Sequence, residues 1–110
     1  MQLANPDRVI VDERKVADYC LNPAHPRGRH KARVFESRLG LTKNDVEFLV
    51  SALKDAVHSD ARLVSQDRFG SHYSIDSEII GPLNTGTVRS IWIVRTGEDF
   101  PRLVTCYPMR

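Results

Sequence analysis

The sequence predicts an α+β fold: N-terminal helices packed on a C-terminal antiparallel β-meander of about four strands. Two observations carry this. Apolar residues recur at helical spacing through the first half of the chain, and the period changes to two in the second half, where β-branched and aromatic residues concentrate. The strand segments are joined by short turn-rich connections and not by crossover helices, which fits antiparallel pairing. At 110 residues, 41% hydrophobic and 27% charged, the chain can bury one core but hardly two, so 1–110 is expected to form a single domain.

Each element has a local reason. Val9-Ile10-Val11 reads as a short extended segment, and Asp12 as the N-cap of a helix carrying Val16, Tyr19 and Cys20 on one face. Asn22-Pro23 stops that helix, and the two prolines and the glycine of 23–28 suit an exposed loop. A second helix is predicted over about 30–39, with Ala32, Phe35 and Leu39 turned inward and Gly40 as its stop. Thr42 and Asp45 form a capping-box pattern that opens the longest helix, roughly 43–58, whose apolar face is Val46, Leu49, Val50, Leu53, Ala56 and Val57.

Strands are predicted over 61–64, 71–80, 87–95 and 102–107, with hairpin connections at Asn84-Thr85-Gly86 and Gly97-Glu98-Asp99. In the third strand Val88, Trp92 and Val94 share one face and Arg89, Ile91 and Ile93 the other, so both faces read as largely apolar and the strand as central. In the fourth, alternation puts Leu103, Thr105 and Tyr107 on one face. No repeat, low-complexity tract or linker interrupts the chain.

Sixteen Lys and Arg against fourteen Asp and Glu leave a formal charge of +2, which does not mark a nucleic-acid binder. The distribution is more informative. Residues 22–34 hold Arg27, Arg29, Lys31 and Arg33 and no acid, while 35–84 hold five bases against eight acids. Such a stretch is ordinarily a solvated face. Cations at a helix start oppose the macrodipole, however, and an anion held by the first-turn N–H groups and these side chains would relieve the conflict. Phosphate is the natural anion.

His25 and His30 flank the basic stretch and suit proton transfer at neutral pH, while His72 lies across its strand from Tyr73 and Ile75. Thr105 and Tyr107 offer a hydroxyl and a phenol, which on a sheet can also serve plain cross-strand bonding. Cys20 and Cys106 form no CxxC pair and are expected to be reduced; with His25 and His30 their spacing fits no familiar zinc site, so no metal or other cofactor is expected. No Walker or Rossmann glycine loop occurs. No apolar run reaches membrane-span length and the N-terminus lacks a signal peptide's pattern, so a cytoplasmic protein is expected.

The block Leu21-Asn22-Pro23-Ala24-His25-Pro26-Arg27-Gly28-Arg29-His30-Lys31-Ala32-Arg33-Val34-Phe35 is followed by Thr87-Val88-Arg89-Ser90-Ile91-Trp92-Ile93-Val94 and Pro101-Arg102-Leu103-Val104-Thr105-Cys106-Tyr107-Pro108. Together they resemble a small bacterial family of uncharacterised single-domain proteins across nearly the whole chain. The ending Val104-Thr105-Cys106-Tyr107-Pro108 is also distantly similar to the closing strand of the metal-independent ribonuclease toxins grouped with barnase, colicin D, contact-dependent inhibition toxins and RelE-type toxins. That resemblance implies an active site on the concave face of the sheet. It would draw His25 or His30 and Lys31 from the helical side, and Thr105, Tyr107 and Arg89 from the strands. Cys106 stands where such endings more often have alanine.

Two readings follow. One is an endoribonuclease, the toxin of a bacterial toxin–antitoxin pair, with His25, His30, Lys31, Thr105 and Tyr107 as catalytic candidates and Arg27, Arg29, Arg33 and Arg89 binding RNA. A cognate antitoxin would then cover the basic face. The alternative is a non-catalytic nucleic-acid-binding or protein-interaction module using the same surface. The first requires Lys31, Thr105, Tyr107 and a histidine to converge; a plain structural outcome would pair Lys31 with Asp76 or Glu78 and Thr105 across the sheet.

Overall fold

The computed structural model describes residues 1–109. Helix α1 opens as an α-helical turn, Glu13–Lys15, capped by the Asp12 carboxylate accepting from Arg14 N–H, and continues as a π-helical turn, Val16–Cys20. Helix α2 likewise joins an α-helical part, Arg29–Val34, to a π-helical turn, Phe35–Leu39. It ends at Gly40, whose φ of 76° is left-handed, and a β-carbon there would press on Leu83. The predicted capping box is present: Thr42 N–H donates to the Asp45 carboxylate at 2.8 Å and Thr42 Oγ1 accepts from Asn44 N–H at 3.2 Å. A 3₁₀ turn, Lys43–Asp45, then leads into α3, Val46–Ala56.

Strands β1 (Arg62–Asp67), β2 (Gly70–Ile80), β3 (Thr85–Arg95) and β4 (Arg102–Pro108) form one antiparallel sheet in the order β1-β2-β3-β4. The α+β meander is as predicted. The extended segment at Val9–Val11 is used as well: Ile10 bridges Arg102 in parallel, its N–H donating to Pro101 O and its carbonyl accepting from Leu103 N–H. Strand β1 runs on to Asp67 because the Asp67 carboxylate accepts from Phe69 and Gly70 N–H and closes the turn there. The β2–β3 turn lies at 81–84, where Gly81 N–H donates to Asn84 O, so Thr85 and Gly86 belong to β3 and not to the connection.

All three helices cover one face of the sheet. Phe35, Leu39, Leu41, Leu49, Leu53 and Val57 pack there against Ile75, Val88, Trp92, Leu103 and Cys106. Ser90 lies within this core and is satisfied: its hydroxyl accepts from the Trp92 indole N–H at 2.8 Å and donates to Ile75 O. The other face is open, and Arg89, Ile91 and Ile93 are only half-buried, so β3 is central in the sheet but covered on one side.

The β4 face assignment also changes. The β3–β4 register slips between Ile91 and Trp92, with Thr105 opposite Ile91 and Leu103 opposite Trp92. Val104 is the extra residue of this bulge. It returns Leu103 to the core face beside Cys106, and Thr105 and Tyr107 are left on the opposite side of the strand, level with Ile91 and Arg89.

Candidate functional site

The bulge aims β4's Thr105 and Tyr107 at the side where α1 and α2 cross its edge. Tyr19 and Cys20 come from the π-helical turn of α1, and Lys31 from α2. The Lys31 ammonium stands 5.0 Å from the Tyr107 ring centroid and 5.4 Å from that of Tyr19, held between two aromatic faces. Among the described residues it forms no ion pair. The expected alternative, Lys31 with Asp76 or Glu78, does not occur, because Arg89 takes the Asp76 carboxylate bidentately at 2.7 and 2.9 Å and Glu78 faces Thr87.

Arg89 therefore reaches the site with its charge largely matched. Its guanidinium holds the Asp76 carboxyl below the usual range, and Asp76, then Tyr107 across the register, hold Arg89 more firmly protonated.

The 23–28 loop is organised by His25. Its Nδ1 accepts from Arg27 and Gly28 N–H, each at 3.0 Å, and its carbonyl accepts from Arg29 N–H at 2.9 Å. The imidazole thus caps the loop ahead of α2, while no side chain caps the first turn of α2 itself. The His25 ring meets Tyr19 edge-on, centroids 4.8 Å apart, and so braces one side of the lysine's aromatic seat. His30 is exposed and lines a cleft of about 370 Å³ with Lys31, Val34, Tyr107 and Pro108.

A second cavity, also about 370 Å³, is lined by Lys15, Tyr19, Cys20, Val104 and Thr105. The Thr105 hydroxyl is buried beside Cys20 and has no hydrogen-bond partner among the described residues, so it does not simply pair across the sheet. A larger concavity lies elsewhere, between α3 and β2; Asp55, Asp76 and Glu78 line it, which is the wrong sign for a phosphate.

Lys31, Tyr107 and His30 thus share one cleft, and Thr105 lies beside Tyr19 next to it. Arg27, Arg29 and Arg33 are exposed and, among the described residues, unpaired. At about 100° per residue Arg29 and Arg33 stand roughly 160° from Lys31 around the helix, so they charge the flank of α2 turned away from the cleft. No group of three or more His, Cys, Asp or Glu gathers as a metal site among the described residues, and no helix there is long and apolar enough to cross a membrane.

Gly28 fixes this arrangement. It is buried, and a β-carbon on it would collide with the Tyr19 carbonyl oxygen. Gly28→Ala is expected to push the loop off α1 and to destabilise the fold by about 1–3 kcal/mol in urea unfolding. A change below about 0.5 kcal/mol would show that this close approach is not required.

Residues 2–110 match the protein family described as Domain of unknown function (DUF6883). No curated protein matches the chain. Among solved structures it is similar to a chain of the "Contact-dependent growth inhibition toxin - immunity protein complex from Klebsiella pneumoniae 342". The TM-score is 0.72 at 23% sequence identity, over 91% of this chain and 99% of that one. Identity at that level makes the likeness one of fold.

Proposed function

Because the chain belongs to the DUF6883 family, whose description assigns no activity, we propose its function from the site itself: a metal-independent endoribonuclease, the toxin of a bacterial toxin–antitoxin pair. The observation that carries this reading is Lys31, a lysine seated between Tyr19 and Tyr107 and given no carboxylate partner among the described residues. A cation fixed in that way is prepared for an anion from outside. The likeness of fold to a chain of a growth-inhibition toxin–immunity complex adds support and suggests a cognate protein that covers the cleft.

Cleavage of RNA without a metal needs a base for the 2′-hydroxyl, an acid for the departing 5′-oxygen and fixed charge for the phosphorane between them. Lys31 supplies the charge. His30 at the cleft rim exchanges protons with the substrate oxygens, since His25 has its Nδ1 committed to the loop and acts by bracing Tyr19. Tyr107, oriented beside Arg89, and Thr105 hold the RNA by hydrogen bonds or by stacking on an unpaired base. Arg27, Arg29 and Arg33 draw the strand in by long-range attraction.

Incubating the purified protein with total RNA and with tRNA in EDTA tests the reading. Cleavage is expected. A folded protein that binds RNA with a steep salt dependence but leaves it intact would favour the non-catalytic binding module instead.

A further inference from the structure

Beneath this site the chain's two cysteines lie in the same core, within hydrogen-bonding reach of one another. Cys20 closes the π-helical turn of α1, Cys106 lies in β4 opposite Ser90, and they are 1% and 0% exposed. Cys20 has a route outward: it lines the cavity formed with Lys15, Tyr19, Val104 and Thr105, whose rim residues Lys15 and Val104 are exposed. Cys106 has no place in that lining.

The groups that face Cys20 are donors or cations. They are the Cys106 thiol and backbone N–H, the Thr105 hydroxyl, and the Lys31 ammonium. The Thr105 hydroxyl has no partner of its own and is free to turn its proton to the sulfur. Lys15, on the cavity rim, already donates to Leu103 O. Led by the Cys106 hydrogen bond and opposed by burial, these groups lower the Cys20 thiol to about 7. Cys106 shifts the opposite way, well above its ordinary value, through its bond to Cys20 and its burial. The two thiols are therefore unlike: Cys20 is shifted toward its thiolate and borders the cavity, while Cys106 is held toward its protonated form and enclosed.

We propose that Cys20 and Cys106 form a peroxide-oxidisable dithiol, with Cys20 as the attacking thiol and Cys106 as the resolving one, which closes to an intramolecular disulfide between α1 and β4. The Cys20 thiolate attacks one oxygen of hydrogen peroxide; an S–O bond forms, the O–O bond breaks, and the departing hydroxide takes a proton to become water. The Cys106 sulfur then attacks the sulfenic sulfur. An S–S bond forms, the S–O bond breaks, and the hydroxyl leaves with the Cys106 proton as a second water. Two thiols lose two electrons and one peroxide gains them. The bond would tie α1, which carries Tyr19, to β4, which carries Thr105 and Tyr107.

The test uses the wild-type protein treated natively with hydrogen peroxide, then intact mass measurement and non-reducing peptide mapping. A loss of two hydrogens, a linked Cys20–Cys106 peptide pair and reversal by dithiothreitol are expected. In a Cys106→Ala variant shown to be folded, oxidation is expected to stop at a Cys20 sulfenic acid that dimedone captures. Iodoacetamide labelling of Cys20 in the wild type is expected to rise with a midpoint near pH 7, below the value of about 8.5 for an exposed thiol. A mass showing only methionine oxidation, a disulfide between two chains, or preferential modification of Cys106 would each overturn the assignment. If Cys106→Ala does not fold, the wild-type mass and map decide the question.

Discussion

Lys31→Ala is expected to lower RNA cleavage by roughly 10²–10³-fold, the loss usual when one preorganised charge facing a developing negative charge is removed. The fall should appear in kcat and in kcat/KM together, because the ammonium contributes most once the phosphorane forms. Stability should change little: the two cation–π contacts are partly exposed and worth about 0.5–1 kcal/mol each. Lys31→Arg keeps the charge and the stacking on Tyr19 and Tyr107 and is expected to retain part of the activity. A Lys31→Ala protein that stays within about threefold of wild type in kcat would remove the lysine from the chemistry, since one such factor is under 1 kcal/mol of barrier.

Trp92→Ala is expected to produce the largest loss of stability in the chain. The indole is fully buried between the sheet and the helices, and it satisfies the buried Ser90 hydroxyl at 2.8 Å. Truncation therefore opens a cavity and removes the N–H donor together, for about 3–5 kcal/mol, out of a total that for such domains is roughly 5–15. Thermal unfolding followed by circular dichroism should show Tm lowered by more than about 10 °C. Fluorescence is no substitute as a probe, since Trp92 is the only tryptophan. A Tm within about 2 °C of wild type would contradict the placement of this residue at the centre of the core.

The features readable in the sequence are those with local causes. The Thr42–Asp45 capping box, the Gly40 stop and the period change at the strands each depend on residues within a few positions, and each stands in the structure where the pattern puts it. The bulge at Val104 was not readable, because an inserted residue is defined by the partner strand, and unbroken alternation placed Leu103 beside Thr105. The same limit applies to the site. The basic run marked Lys31 and the strand end marked Tyr107, but Tyr19 read as one more inward helical residue until the fold set its ring beneath the lysine. The bond between Arg89 and Asp76 is equally non-local, set by the β2–β3 register, and it turns a residue read as a free cation into a matched one. His25 adds a local limit of another kind: a histidine two residues before a glycine-containing turn can cap that turn, and the sequence does not say which nitrogen is spent doing so.

The most direct measurement of the central claim is the chemistry of the RNA ends left by the wild-type protein in EDTA. Attack by the 2′-hydroxyl, with the charge supplied by the chain, predicts fragments ending in 2′,3′-cyclic phosphate and beginning with 5′-hydroxyl, their yield falling with Lys31→Ala. Intact RNA, or fragments with 3′-hydroxyl and 5′-phosphate ends, would contradict the account.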